Sequence, residues 1–156
     1  MPTYDEVDFL IERTIKENEK NFICKCFQQA TFYNDIPSMQ ELGSFYYDKN
    51  EYDLAECWLT KAASKGDVVS QNTLVHFYEH AKPNNEYLEF WLEKVTNNNN
   101  NQEAANKLAQ LYYNKNNYEK ALYWFSIAKN KNKISDVIAK ISQNAEEIVQ
   151  VADKIV

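Results

Sequence analysis

The sequence predicts an all-α fold: a right-handed α-α solenoid of about four helix-hairpin repeats, closed by a long C-terminal capping helix. Three observations carry that expectation. The stretch from Leu42 to Ala63 returns 66 residues later, so that Tyr46-Tyr47 becomes Tyr112-Tyr113, Tyr52 becomes Tyr118, Ala55 becomes Ala121 and Trp58 becomes Trp124. A middle copy stands halfway, at Leu74, Phe77-Tyr78, Leu88, Trp91-Leu92 and Lys94. A period in the low thirties with two apolar helical stretches per unit marks a helical solenoid. Finally, two Gly and three Pro in 156 residues favour helices joined by short turns over a sheet rich in tight turns.

Taken in order, residues 4 to 17 read as a first helix. Thr3 or Asp5 can cap it, and Val7, Leu10, Ile11 and Ile15 share one face at helical spacing. A second helix is expected from about Glu19 to Tyr33 with Ile23, Phe27 and Ala30 inward, so that 4–35 forms a degenerate opening repeat. Pro37 opens the first full repeat (37–66), where a missing N–H costs nothing. Its helices are expected at about 37–49 and 52–65, with Gly66 as a left-handed stop. The second repeat (68–97) takes about 68–81 and 86–97, broken by Pro83-Asn84-Asn85. It carries one extra residue, because Phe77 to Trp91 is 14 steps where Phe45 to Trp58 is 13. Asn97 to Asn101 reads as a solvated loop, and the third repeat (102–131) takes about 102–115 and 118–131.

The last segment, 134–156, steps through Ile138, Ile141, Ala145, Ile148, Ala152 and Ile155 as a heptad seam on one long helix. A terminal repeat exposes an apolar face, so a closing helix is expected there. On that expectation Ile138 and Ile141 are buried, at about 2–5 kcal/mol each. Self-association through the distal half is the alternative, because a helix of this length overruns a repeat helix.

Leu42-Gly43-x-x-Tyr46 and Leu108-Ala109-x-x-Tyr112, followed by Ala55-x-x-x-Leu59 and Ala121-x-x-x-Phe125, resemble the tetratricopeptide repeat. Trp58, Lys61-Ala62-Ala63 and Gly66 also resemble the SEL-like branch of that superfamily. The middle copy departs from the pattern, with Val75 and Leu88 at the small positions. The resemblance covers roughly 37 to 131 and implies a single repeat domain over 1–156 that binds another protein.

In such a stack small residues set the closest approaches, here Gly43, Ala55, Ala62, Ala109, Ala121 and Ala128. Tyr46, Trp58, Trp91, Tyr112 and Trp124 recur with the repeat, which makes them packing rings rather than ligand anchors. Helical phase then puts Gln40, Ser44, Tyr47, Asp48, Asn72, His76, Glu79, His80, Asn106, Gln110, Tyr113 and Asn114 on a concave groove. Amides can hold a peptide or helix backbone, and tyrosines add flat contact at little entropy cost. A chaperone-tail clamp needs cations; this groove offers Gln40, Ser44 and Glu103, with only Lys107 of the right sign.

His76-Phe77-Tyr78-Glu79-His80 matches the inverted zinc-protease signature H-x-x-E-H. The downstream carboxylate ligand and enclosed cleft of such enzymes are not legible in the 76 residues that follow. Cys24-x-Cys26 cannot put two thiols on one helix face, and buried or half-buried free thiols are expected, Cys57 included. No glycine-rich phosphate loop or nucleophile elbow occurs, so the expectation is a non-enzyme with no cofactor and no metal. A net charge of −6 argues against nucleic-acid or anionic-membrane surfaces. Three badly spaced cysteines fit a reducing compartment, and Met1 to Glu6 shows no apolar signal core, so a cytoplasmic location is expected. Two functional classes remain: an adaptor that presents the groove to another protein, and a self-associating module, a homodimer through the C-terminal helix.

Overall fold

A computed structural model describes residues 4–99 and 101–152, with side chains over 16–98 and 101–146. The chain is all-α, with no strand among the described residues, and divides into two compact units, Met1–Phe77 and Tyr78–Val156.

The first unit holds α1 (Tyr4–Phe32), α2 (Ile36–Asp48), α3 (Tyr52–Ser64) and α4 (Val68–His76), each packed on the next. α1 is one helix of 29 residues, not the expected pair. The segment Lys16-Glu17-Asn18-Glu19-Lys20 contains no Gly or Pro, and its Lys and Glu residues are good helix formers, so nothing interrupts the turn. The helix has begun by Tyr4, which puts Asp5 inside its first turn; Thr3 and the side chains of Val7, Leu10, Ile11 and Ile15 lie outside the described residues. α1 contributes Cys26 and Ala30 to a core with Met39, Leu42, Trp58 and Ala62, flanked by Ile23, Ile36 and Tyr46. Phe27 stays half exposed, its ring edge-on to Trp58 at 5.7 Å.

The second unit holds α5 (Asn85–Asn99), α6 (Gln102–Asn114), α7 (Tyr118–Ile127) and α8 (Lys131–Ala152), again each packed on the next. Trp91, Leu92, Val95, Leu108, Ala109, Tyr112, Trp124 and Phe125 are buried. Between α4 and α5, Phe77–Ala81 winds as a π-helix. That wider turn takes up the extra residue counted between Phe77 and Trp91, since an α-helix would rotate everything beyond it by about 100°.

The repetition extends to the caps. Asp35, Asp67 and Asn101 open α2, α4 and α6, and their side chains accept from Ser38 N (2.9 Å), Ser70 N (2.7 Å) and Ala104 N (3.1 Å). The turns inside the first and third repeats also match. Asn50 and Asn116 are left-handed, at φ 61° and 58°, and each accepts a hydrogen bond from the tyrosine two residues on, Tyr52 at 2.8 Å and Tyr118 at 2.9 Å. In a chain with two glycines, asparagine takes over positive-φ work because its short amide tolerates αL. Gly66, at φ 91°, is the left-handed stop that the sequence predicts.

Two expectations change here. Asn97–Asn99 belongs to the last turn of α5, and Asn101 caps α6, so the asparagine run is mostly helix and cap. α8 starts at Lys131 and buries Val137 completely, with Ile134 half buried, while Ile138 and Ile141 are 52% and 37% exposed. The third repeat therefore covers Ile138 and Ile141 only in part. α7, at ten residues, is about 15 Å long, too short and narrow to cover a stripe on a helix of 22 residues. Ile148, Ala152 and Ile155 lie outside the described side chains.

Candidate functional site

The expected groove residues fall on α2 and α4 in the first unit, and on the π-helical turn and α6 in the second. Gly43 allows α2 to approach α3: a Cβ there would stand 2.6 Å from Leu59 Cγ. The other face of α2 is thereby fixed, and it carries Gln40, Ser44, Tyr47 and Asp48. Tyr47 is half buried in a ring cluster, with centroids 6.0 Å from Tyr52, 6.0 Å from Phe77 and 6.4 Å from His76. Its hydroxyl lies 3.4 Å from His76 Nδ1. The first helices of two successive repeats thus meet through Tyr47 and His76, with Ser44, Asp48 and Asn72 exposed beside them. Asn72 Nδ2 donates to its own helix at Val68 O, 2.9 Å away.

In the second unit Glu79 is largely buried and takes an ion pair from Lys107 at 3.0 Å, with His80 Nε2 at 3.7 Å. Lys107, the one cation on the expected groove, is thus neutralised within the fold. Asn106 accepts from Asn130 Nδ2 at 2.8 Å and donates to Gln102 O at 3.1 Å, tying α6 to the start of α8. Gln110 donates to Asn114 at 2.9 Å, and Tyr113 lies edge-on to Tyr118 with ring centroids 5.5 Å apart. A polar surface that satisfies itself in this way offers its tyrosine rings before its amides.

Among the described residues no group of three or more His, Cys, Asp and Glu is gathered as a metal site. The turn between His76 and His80 is π-helical, wider than the α turn assumed when the two histidines are placed one above the other. Two thiols differ from expectation: Cys24 and Cys57 are exposed, and only Cys26 is buried. Burial pushes the Cys26 thiol up, helped by the Glu41 charge, which keeps it protonated and unreactive.

Sequence reasoning missed one cluster. Tyr112 donates to Glu89, whose other oxygen pairs with Lys115 at 2.5 Å, and Lys120 lies 4.7 Å over the Tyr112 ring. The partners come from α5, α6 and α7, 23 to 26 residues apart for the two bonds, so no local spacing announces them. The residue 66 before Glu89 is the apolar Ile23, which packs against the core of the first unit, so the 66-residue recurrence does not carry this carboxylate. Burial raises the Glu89 carboxyl, but the bonds from Lys115 and Tyr112 and the nearby positive charges outweigh it and hold it below the ordinary carboxylate value. Tyr112 is raised by burial and by Glu89.

Because the folded-state value of Glu89 is depressed, its contribution is present above the ordinary carboxylate pKa and is lost as pH falls through the lower folded value. Glu89→Ala is therefore expected to cost about 1.5–3 kcal/mol at neutral pH, the range for hydrogen bonds to a charged group. That difference should close as the pH falls through the depressed folded-state value of Glu89, well below the ordinary carboxylate range. Urea melts of both proteins at pH 7 and in acid check it.

No family model and no curated protein matches the chain. The likeness to tetratricopeptide repeats rests on the residues that carry it. No helix of the described residues is long and apolar enough to cross a membrane.

Proposed function

We propose that this chain is a non-catalytic, cytoplasmic protein-interaction module, an adaptor that holds a peptide or helix of another protein on the first-helix surfaces of its repeats. The reading includes its finer architecture: a right-handed tetratricopeptide-like or SEL-like solenoid of three helix pairs, with α1 and α8 at its ends. The contact of Tyr47 with His76 carries it. It brings one ring from each of two successive first helices onto a partly exposed face, where neutral polar groups lie beside flat apolar surface. Tyrosine and histidine lose few rotamers on binding, so such a face gains contact at low entropic cost.

The paired state of Lys107 disfavours an acidic tail as the ligand, because a clamp would first have to break the bond to Glu79. A neutral or weakly basic segment suits the first unit better. Its sequence holds thirteen acidic against seven basic residues. The test is a quantitative pull-down from native cytosol with wild type and with Ser44→Arg/Asn72→Arg. Both residues are exposed, so the variant should melt like wild type and lose its bound protein at least tenfold. Equal recovery by the two proteins would refute the groove reading.

A further inference from the structure

The geometry points to α8 as a homodimerisation helix that pairs antiparallel with α8 of a second copy of this chain. Val137, on the face packed toward α7, is fully buried, but Ile138 is 52% and Ile141 37% exposed, and Ala145 is exposed. These three follow one another at spacings of three and four, the seam spacing of a paired helix. Their own chain leaves them uncovered along at least two turns. Beside them, α8 and the turn between α6 and α7 leave an open cavity of about 650 Å³, with Tyr118 and Glu119 on one side and Ile141, Asn144 and Ala145 on the other. A second helix laid along the seam would set its apolar side chains against that wall.

Charge selects the occupant and its direction. The half of α8 from Lys131 to Gln143 carries Lys131, Lys133 and Lys140 against Asp136 alone. The half from Asn144 to Ala152 carries Glu146 and Glu147 and no cation. Two copies side by side in the same direction would set like against like over both halves. Reversing one copy sets positive over negative twice, with a two-fold axis near Gln143, and also opposes the two helix dipoles. The rest of the second unit permits the approach: residues 78–156 hold ten acidic and ten basic residues, while the whole net charge of −6 resides in 1–77. A helix from an unrelated acidic or basic protein would meet repulsion over one half of α8; a second copy meets none.

Sedimentation velocity of the full chain over a hundredfold concentration range tests this. Wild type should pass from monomer to dimer. Ile138→Asp and Ile141→Asp, both at exposed positions, should remain monomeric with an unchanged melting temperature in dilute solution. Lys133→Glu/Lys140→Glu should weaken the dimer at least tenfold, and adding Glu146→Lys/Glu147→Lys in the same chain should restore it, because both halves are then reversed together. Raised salt should weaken the wild-type dimer. A wild type that stays monomeric throughout, or a dimer indifferent to Ile138→Asp, overturns the proposal. So does a monomer whose α8 takes up a helix of another protein. A dimer strengthened by salt and untouched by the lysine reversals overturns the antiparallel pairing. These readouts do not involve the first-helix surfaces, so failure here leaves the adaptor reading standing, and the reverse.

Discussion

Phe77→Ala is expected to cost about 3–5 kcal/mol, the usual range for emptying a buried phenylalanine site. The ring is fully buried. It sits edge-on to Tyr52 at 5.9 Å and tilted to Tyr47 at 6.0 Å, joining α2, α3 and the end of α4. Both tyrosines are held partly by that ring, so the cavity cannot close without moving them. Two readouts should therefore change together. The denaturation midpoint should fall at constant m-value, and the NMR ring resonances of Tyr47 should report its loosening. Phe77→Leu keeps most of the volume and should cost less than half as much. A loss under about 1 kcal/mol for Phe77→Ala would mean that this ring cluster does not organise the first unit.

Gly43→Val is expected to cost about 3 kcal/mol, at the upper end of ordinary overpacking. Even a single Cβ at this position would meet Leu59 Cγ at 2.6 Å and Cδ2 at 2.7 Å, with the Leu59 backbone nitrogen at 3.2 Å. Leu59 is itself fully buried, so its side chain has nowhere to withdraw. Gly43→Ala should cost less, because up to about 1 kcal/mol of helix propensity is regained. The decisive measurement is a double-mutant cycle. Gly43→Val combined with Leu59→Ala should be less destabilising than the sum of the two, since the clash disappears with the leucine. Additive losses would show that the close approach of α2 and α3 is not what requires glycine. At the matching places in the third repeat the chain has Ala109 and Phe125, both buried, a different pair of volumes from Gly43 and Leu59.

A related difference concerns Ser70, which is fully buried and whose hydroxyl alone, among the described buried side-chain polar atoms, finds no hydrogen-bond partner. Ala104 fills the matching place in the third repeat without that cost. The copies share a backbone plan and differ in how well each interior is satisfied.

Much of this was legible in residue order because it is local or periodic. Apolar spacing placed α2 to α7, and the recurrence of Trp58, Trp91 and Trp124 marked them as interior before any neighbour was known. The count of 14 against 13 steps revealed an extra residue in the second helix pair, but only the structure shows that it is absorbed as a π-helical turn and not in the connection between the helices. The caps Asp35, Asp67 and Asn101 were equally open to reading, being short polar residues at spacings of 32 and 34 just before each first helix. What residue order could not decide was rotation and long-range pairing. The heptad stripe of α8 specifies an apolar face but not which side of it meets α7. Only the packed helix shows Val137 inward and Ile138 outward. Glu89 meets Tyr112 and Lys115 only because α5 folds onto α6. Helical periodicity is a property of one segment, whereas burial and ion pairing are properties of two segments in contact, which is why tertiary structure alone assigns them.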